Sequence, residues 1–327
     1  MRVELEKLSS GKFLLGFSGG VDSSALFFLL LGGGVEFDIA IVDYGVREQS
    51  KEEVEYAKAL AKKYGKLCHH TLSPTIKNNF EAKAREVRYE FFASLVGEYK
   101  YSGVILAHQL DDRFEWSVMQ FCKGAGLNTL LGFGSEGEYR GVKIFRPLLN
   151  VAKSELYEYC KNHQIQYFED SSNQEDKYLR NCFREILKPL LQKHSKGIAQ
   201  SFEFLQEDRE RLYPYKEIGE FRGIAFWSRG SEGEDMHYLD MELKKRGYLL
   251  SYQQKREIAR QNFSCEIVGF VIERSEKTLF LFPKKEGKMT KIFRDFARRN
   301  QIPQRLREYL YVSEVSGEEI VGFLSEK

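Results

Sequence analysis

Residues 13–17 (FLLGF) form a short apolar run between the polar stretch 9–12 and a small-residue segment at 18–24. A uniformly apolar run of that length predicts a strand buried on both faces. Residues 25–31 are again apolar but of helical length, and the glycine-rich stretch 31–34 ends them. Residues 35–42 predict a second buried strand, and residues 51–63 place Val54, Ala57, Leu60 and Ala61 at helical spacing among charges. A third strand is expected over 66–72, a long amphipathic helix over 81–99, a fourth strand over 103–107 and a helix over 111–123. Such alternation predicts an α/β fold, a doubly wound, mainly parallel sheet covered on both faces. Ligands of these sheets bind at the carboxyl ends of the strands. The segments 18–24, 43–50 (DYGVREQS) and 107–112 (AHQLDD) all fall at that edge.

The segment Ser18-Gly19-Gly20-Val21-Asp22-Ser23-Ser24 joins the first strand to the first helix. Unpaired N–H groups and the positive end of the helix dipole converge at such a junction and favour an anion. Glycine lets the backbone approach an oxyanion, and serine hydroxyls add donors. The loop has neither the Lys of GxxxxGK[ST] nor the spacing of GxGxxG, so it is not a loop of either kind.

Composition narrows the class without naming it. The chain has 327 residues, 42% of them hydrophobic and 30% charged, with a net charge of +2. That is a globular balance, long enough for a core of roughly 200 residues and a smaller second unit. No apolar run reaches the ~18 residues of a membrane span, and the first residues lack the apolar core of a signal peptide. The five cysteines (Cys68, Cys122, Cys160, Cys182, Cys265) include no CxxC pair, which argues against a zinc ribbon, an iron–sulfur site or a disulfide framework. A cytoplasmic protein without a membrane association is expected.

The loop resembles the PP-loop, SGGxDS, of the N-type ATP pyrophosphatases. Further segments in order resemble the tRNA(Ile)-lysidine synthases within that superfamily: Asn79-Phe80-Glu81-Ala82 leading to Arg85 and Arg88, Ala107–Glu115 as AHxxDDxxE, Lys123–Leu127, Arg146–Leu149, and Glu169–Asn173 followed by Arg180, Asn181 and Arg184. Three positions depart from the pattern: Tyr44 stands where a His is usual, and Arg113 and Trp116 where Gln and Thr are usual. The resemblance implies a Rossmann-like PP-loop catalytic domain over residues 1–195. It also implies ATP and Mg²⁺, with a tRNA(Ile) bearing a CAU anticodon and free L-lysine as substrates, and is compatible with a homodimer. The implied reaction adenylates the C2 oxygen of the wobble cytidine, and the lysine ε-amine then displaces AMP. Ser18, Gly19, Gly20, Val21, Ser23 and Ser24 would cradle phosphates, and Asp22 would hold the metal. Asp112 and Glu115, three apart and so on one helix face, would bind metal, or bind the lysine ammonium and take its proton. Their alternative is a solvated acidic first turn. Arg85, Arg88, Arg180, Asn181 and Arg184 would contact substrate phosphates, or be ordinary surface residues. Trp116, Met119 and Phe121 are expected in the core, and His69-His70 at a strand end or surface.

From about residue 194 the matching segments stop, and residues 196–327 are expected to form a helical linker and a small mixed domain. Residues 284–309 carry nine Lys/Arg against three acids. Lys291, Arg294 and Arg298 share a helix face there, with Ile292, Phe293 and Phe296 as its apolar side, a pattern that suits tRNA docking. Two other readings compete: another PP-loop tRNA-modifying enzyme, or a catalytically inactive nucleotide-dependent RNA-binding module.

Overall fold

The computed structural model describes residues 1, 3–45, 49–76, 78–139, 141–169 and 177–325. The chain divides into two compact units, Met1–Gln206 and Glu207–Lys327.

In the first unit β1 (Lys12–Gly16), α1 (Val21–Gly32), β2 (Glu36–Asp43), α2 (Gln49–Lys63), β3 (Cys68–Leu72), α3 (Phe80–Tyr99) and β4 (Val104–Ile105) alternate as the apolar pattern predicts. Then come α4 (Leu110–Phe121), the short α5 (Leu127–Leu130), β5 (Glu136–Tyr139), β6 (Val142–Phe145) and α6 (Lys153–Asn162). The six strands run in the order β3-β2-β1-β4-β6-β5, parallel throughout except for the edge strand β5. Strand order reverses between β1 and β4, which opens the crevice where such sheets take their ligands. One apolar layer packs Phe13, Leu15, Phe27, Phe37 and Ile39 with α1, α2 and α6 residues such as Ala57 and Leu156. The other packs Leu14, Ala40, Val104 and Leu106 against Tyr89, Phe92 and Leu95 of α3. Burial of both faces explains why β1 reads as a continuous apolar run; β2 is apolar from Ile39 to Val42 and also buries Asp38, which accepts from the Tyr101 hydroxyl.

Several elements differ from the sequence expectation. β4 has only two paired residues, because its chain turns at once into the 106–109 segment. The β5–β6 hairpin was not expected: β5 is mostly exposed, EGEY, and has no apolar run to announce it. Phe121 is not in the core but 71% exposed at the end of α4, while Trp116 and Met119 are half-buried. Trp116 donates its indole N–H to the Thr129 carbonyl at 3.0 Å. His69 lies within β3, with Nε2 2.8 Å from the Tyr101 hydroxyl, which donates to the buried Asp38 at 2.6 Å.

The helix α7 (Lys177–Leu212) contains Pro189 and a non-helical turn at His194. The proline lacks the N–H that a helix interior needs.

The second unit carries an antiparallel sheet of β7 (Gly219–Phe221), β8 (Ile224–Ser228), β9 (Cys265–Ile267), β10 (Phe270–Arg274) and β11 (Thr278–Pro283), in the order β7-β8-β11-β10-β9. Helices α8 (Glu232–Lys245) and α9 (Tyr252–Arg260) bury Leu239, Leu243 and Ile258 on one apolar cluster with Trp227 and Leu281. Helices α10 (Lys291–Arg299), α11 (Gln304–Val312) and α12 (Gly317–Ser325) bury Ala297, Leu306, Leu310 and Ile320 on another with Phe280 and Phe282. On α10, Phe293 and Phe296 are partly buried against that cluster. Ile292 is instead 84% exposed, so the apolar face is narrower than expected. Among the described residues no helix is long and apolar enough to cross a membrane.

Candidate active site

The chain leaves β1 at the carboxyl edge of the sheet and folds back on itself before α1. Gly19 has φ +77°, a left-handed conformation that side chains disfavour, and an added Cβ would sit 3.3 Å from the Phe168 ring. The Gly19 carbonyl accepts from the Phe168 N–H at 2.9 Å, so the segment after α6 closes one side of the loop. The Ser23 hydroxyl donates to the Gly20 carbonyl at 3.1 Å and accepts the Ser18 N–H at 3.2 Å. The Ser24 hydroxyl donates to the Gly19 carbonyl at 3.3 Å. Ser23 and Ser24 are therefore buried braces of the loop, whereas Ser18 lies exposed at its rim. Val21 is buried in the core beneath it.

Asp22 sits in the first turn of α1, and its Oδ1 is enclosed without a hydrogen-bond partner. Burial pushes its carboxyl up to about 7; Lys153 and Arg184 oppose the rise, and the Asp112 and Asp111 charges add to it. These same groups mark what surrounds it. At the carboxyl end of β4 the Gln109 side chain caps α4 by accepting from the Asp111 and Asp112 N–H groups, and Asp112 Oδ2 accepts the Gln109 N–H in return at 3.4 Å. Asp111 Oδ1 accepts the Lys153 N–H at 2.9 Å, which fixes the start of α6 to the start of α4. One turn along α4, Glu115 is buried, and its Oε2 accepts from Arg184 Nε at 2.8 Å. Asp22, Asp111, Asp112, Glu115, Lys153 and Arg184 thus form one charged group beside the loop. Asp111 and Lys153 were absent from the residues singled out by sequence, although Asp111 stands within the AHQLDD segment. Lys153 carried no signal of its own.

The enclosed Asp22 Oδ1 is a hard oxygen donor of the kind Mg²⁺ takes. Among the described residues no three His, Cys, Asp or Glu converge to hold a metal by themselves. An ion there would complete its shell with phosphate oxygens and water, which is how Mg²⁺ is ordinarily held beside a nucleotide.

The remaining candidates separate. Arg85 and Arg88 lie on α3, with guanidinium carbons 4.8 Å and 5.9 Å from the Tyr89 ring centroid. Asn181 is half-buried on α7, and the side chain of Arg180, like residues 170–173 of the EDSSN segment, lies outside the described part. Lys291, Arg294 and Arg298 are exposed on α10, in the second unit. Of the three departures from pattern, Tyr44 donates to the Ala84 carbonyl at 3.1 Å. Buried Arg113 donates to Asn150 at 3.0 Å and stacks 4.2 Å over Phe202. Trp116 braces the turn at Thr129.

A parallel sheet whose first βα turn is a serine–glycine loop with an enclosed carboxylate oxygen fits the PP-loop class, and residues 2–191 match the family model of the PP-loop domain. The fold also matches a U34-tRNA thiolase of Methanococcus maripaludis, with a TM-score of 0.52 and 18% identity over 62% of this chain and 76% of that one. Within the class, the chain belongs to the tRNA(Ile)-lysidine synthase family. It is 46% identical to the tRNA(Ile)-lysidine synthase of Helicobacter pylori over 95% of its own length and 92% of the relative's. Against that of Wolinella succinogenes the identity is 44%, over 95% and 96%. Against that of Campylobacter jejuni it is 36%, over 94% of each chain.

Proposed function

We propose that this chain converts the wobble cytidine of a CAU-anticodon tRNA(Ile) to lysidine, with ATP and free L-lysine as co-substrates, in the cytoplasm. The observation that carries the reading is the position of Asp22, enclosed and unpartnered between the anion loop and the acidic start of α4. In the first step the cytidine C2 oxygen forms a bond to the α-phosphorus of ATP, and the bond to pyrophosphate breaks. In the second the lysine ε-nitrogen forms a bond to C2, the C2–O bond breaks, and AMP leaves with the amine proton passed to a base.

The loop N–H groups, the rim hydroxyl of Ser18 and the α1 dipole suit the departing pyrophosphate. Ser23 and Ser24 hold the loop in the shape that presents those groups. Asp22 would bind Mg²⁺, which offsets negative charge as pyrophosphate leaves. Lysine in water is an ammonium with pKa about 10.4 and cannot attack while protonated. A carboxylate must hold it and accept its proton, and Asp112 and Glu115 stand together on α4 beside the loop. Arg184, bound to Glu115, sets that carboxylate's orientation and adds positive charge for the adenylate. The exposed Lys291, Arg294 and Arg298 form no ion pair with any described carboxylate, which suits contact with a phosphate backbone. The test is incubation with ATP, labelled lysine and the CAU tRNA, scored by label retained in RNA and by pyrophosphate and AMP release.

A further inference from the structure

A second group of cations lies at the same edge of the sheet, two strands from the loop. Arg146 directly follows β6 and is 6% exposed. Its Nη1 donates to the Gly134 carbonyl at 3.1 Å, its guanidinium carbon lies 5.0 Å from the Phe133 ring centroid, and its buried Nε has no partner. Burial lowers its pKa from the ordinary arginine value; the Tyr89 hydroxyl opposes that change and the like charge of Arg85 adds to it. Arg85 and Arg88 flank the same Tyr89 ring, and the Arg88 Nε is also enclosed without a partner. No described carboxylate forms an ion pair with any of these three arginines. Phe133 in turn lies 4.9 Å from the ring of His108, in the segment that leads into α4.

Cations brought together without an acid between them repel one another, and a buried guanidinium lacking a carboxylate is costly. A cation–π contact recovers only a part of that cost. A bound anion would remove both penalties, and the planar fork of arginine matches a phosphate. The charges that bear most on Asp22 are Lys153, Asp112, Asp111 and Arg184. With β4 between β1 and β6, the two sites stand roughly 10 Å apart at ~4.8 Å per strand. Resting on the function proposed above, we propose that Arg85, Arg88 and Arg146 form a phosphodiester-binding subsite for the RNA strand, with Arg146 as its fixed floor and Phe133 and Tyr89 as its walls.

The test measures binding of the CAU-anticodon tRNA and of ATP to the full-length protein across a salt series. Arg85→Gln with Arg88→Gln should weaken tRNA binding at least tenfold. The salt slope should fall by about 0.7–0.9 for each phosphate contact removed, with ATP affinity unchanged. Arg146→Met should do the same, and Arg146→Lys should restore part of the affinity by keeping the charge without the fork. Should Arg146→Met fail to fold, the Arg85/Arg88 pair decides alone. Unchanged tRNA affinity and slope in that pair would overturn the subsite, as would lost ATP affinity with tRNA binding intact. A lowered melting temperature for Arg146→Met with normal tRNA binding would reduce Arg146 to a brace for the Gly134 turn and overturn its place in the subsite. A wild-type protein that fails to bind the tRNA would overturn both this subsite and the function on which it rests.

Discussion

Arg184 Nε donates to Glu115 Oε2 at 2.8 Å, joining α7 to α4, with the carboxylate side chain 5% exposed and the arginine 50% exposed. Two residues 69 positions apart are thereby held as one unit. Arg184→Ala removes a charge-assisted bond from a buried carboxylate, an effect of about 1–3 kcal/mol. Arg184→Lys keeps a charge but not the directed N–H. Denaturant midpoints should fall in the order wild type, Lys, Ala; equal midpoints for all three would show that the pair does not hold the helices together.

Glu115→Gln should separate the two half-reactions. Adenylated tRNA should accumulate in quenched single turnovers, and the apparent lysine KM should rise, the outcome that the proposed ammonium-holding role of Glu115 requires. Loss of adenylation itself, with no intermediate trapped, would place Glu115 in the first step instead.

Asp22 gives a pH signature. Its carboxyl is raised from 3.8 to about 7 in the folded chain, so stability from this group is fully present below about 3.8 and is lost as pH rises through 7. The span corresponds to about 4 kcal/mol at most, at 1.36 kcal/mol per pKa unit. Asp22→Asn should flatten the stability profile between pH 4 and pH 8, as read by urea melts, and should abolish pyrophosphate release. Parallel profiles for variant and wild type would show that burial does not govern this carboxyl.

The strand–loop–helix plan was legible because β1 is buried on both faces and its run is apolar without interruption, while Gly19 and Gly20 punctuate the turn. The shared face of the acidic pair on α4 follows from its spacing, but the role expected of it comes from the resemblance of that segment. Its partner Arg184 could not be assigned by spacing, since the contact depends on how α7 lies against α4. Arg146 was visible only as part of a matching segment, and its burial follows from the β5–β6 hairpin, whose polar edge strand carries no periodic signal. Phe121 and Ile292 were misplaced for a common reason: an apolar residue near a helix end can face solvent without breaking the helical period.

Lys291, Arg294 and Arg298 provide a test in the second unit. Reversing all three to Glu should weaken tRNA binding and reduce its salt slope by ~0.7–0.9 per lost phosphate contact, with ATP binding unaffected. Unchanged tRNA affinity at moderate salt would assign this face of α10 to solvation.

The central claim is tested most directly by incubating the protein with ATP, labelled L-lysine and a CAU-anticodon tRNA(Ile) transcript. Label should enter the RNA at the wobble position, with one AMP and one pyrophosphate released for each lysine attached. A transcript with another wobble base should take up none. Absence of label in the CAU transcript, with protein that is folded and binds ATP, would contradict the account.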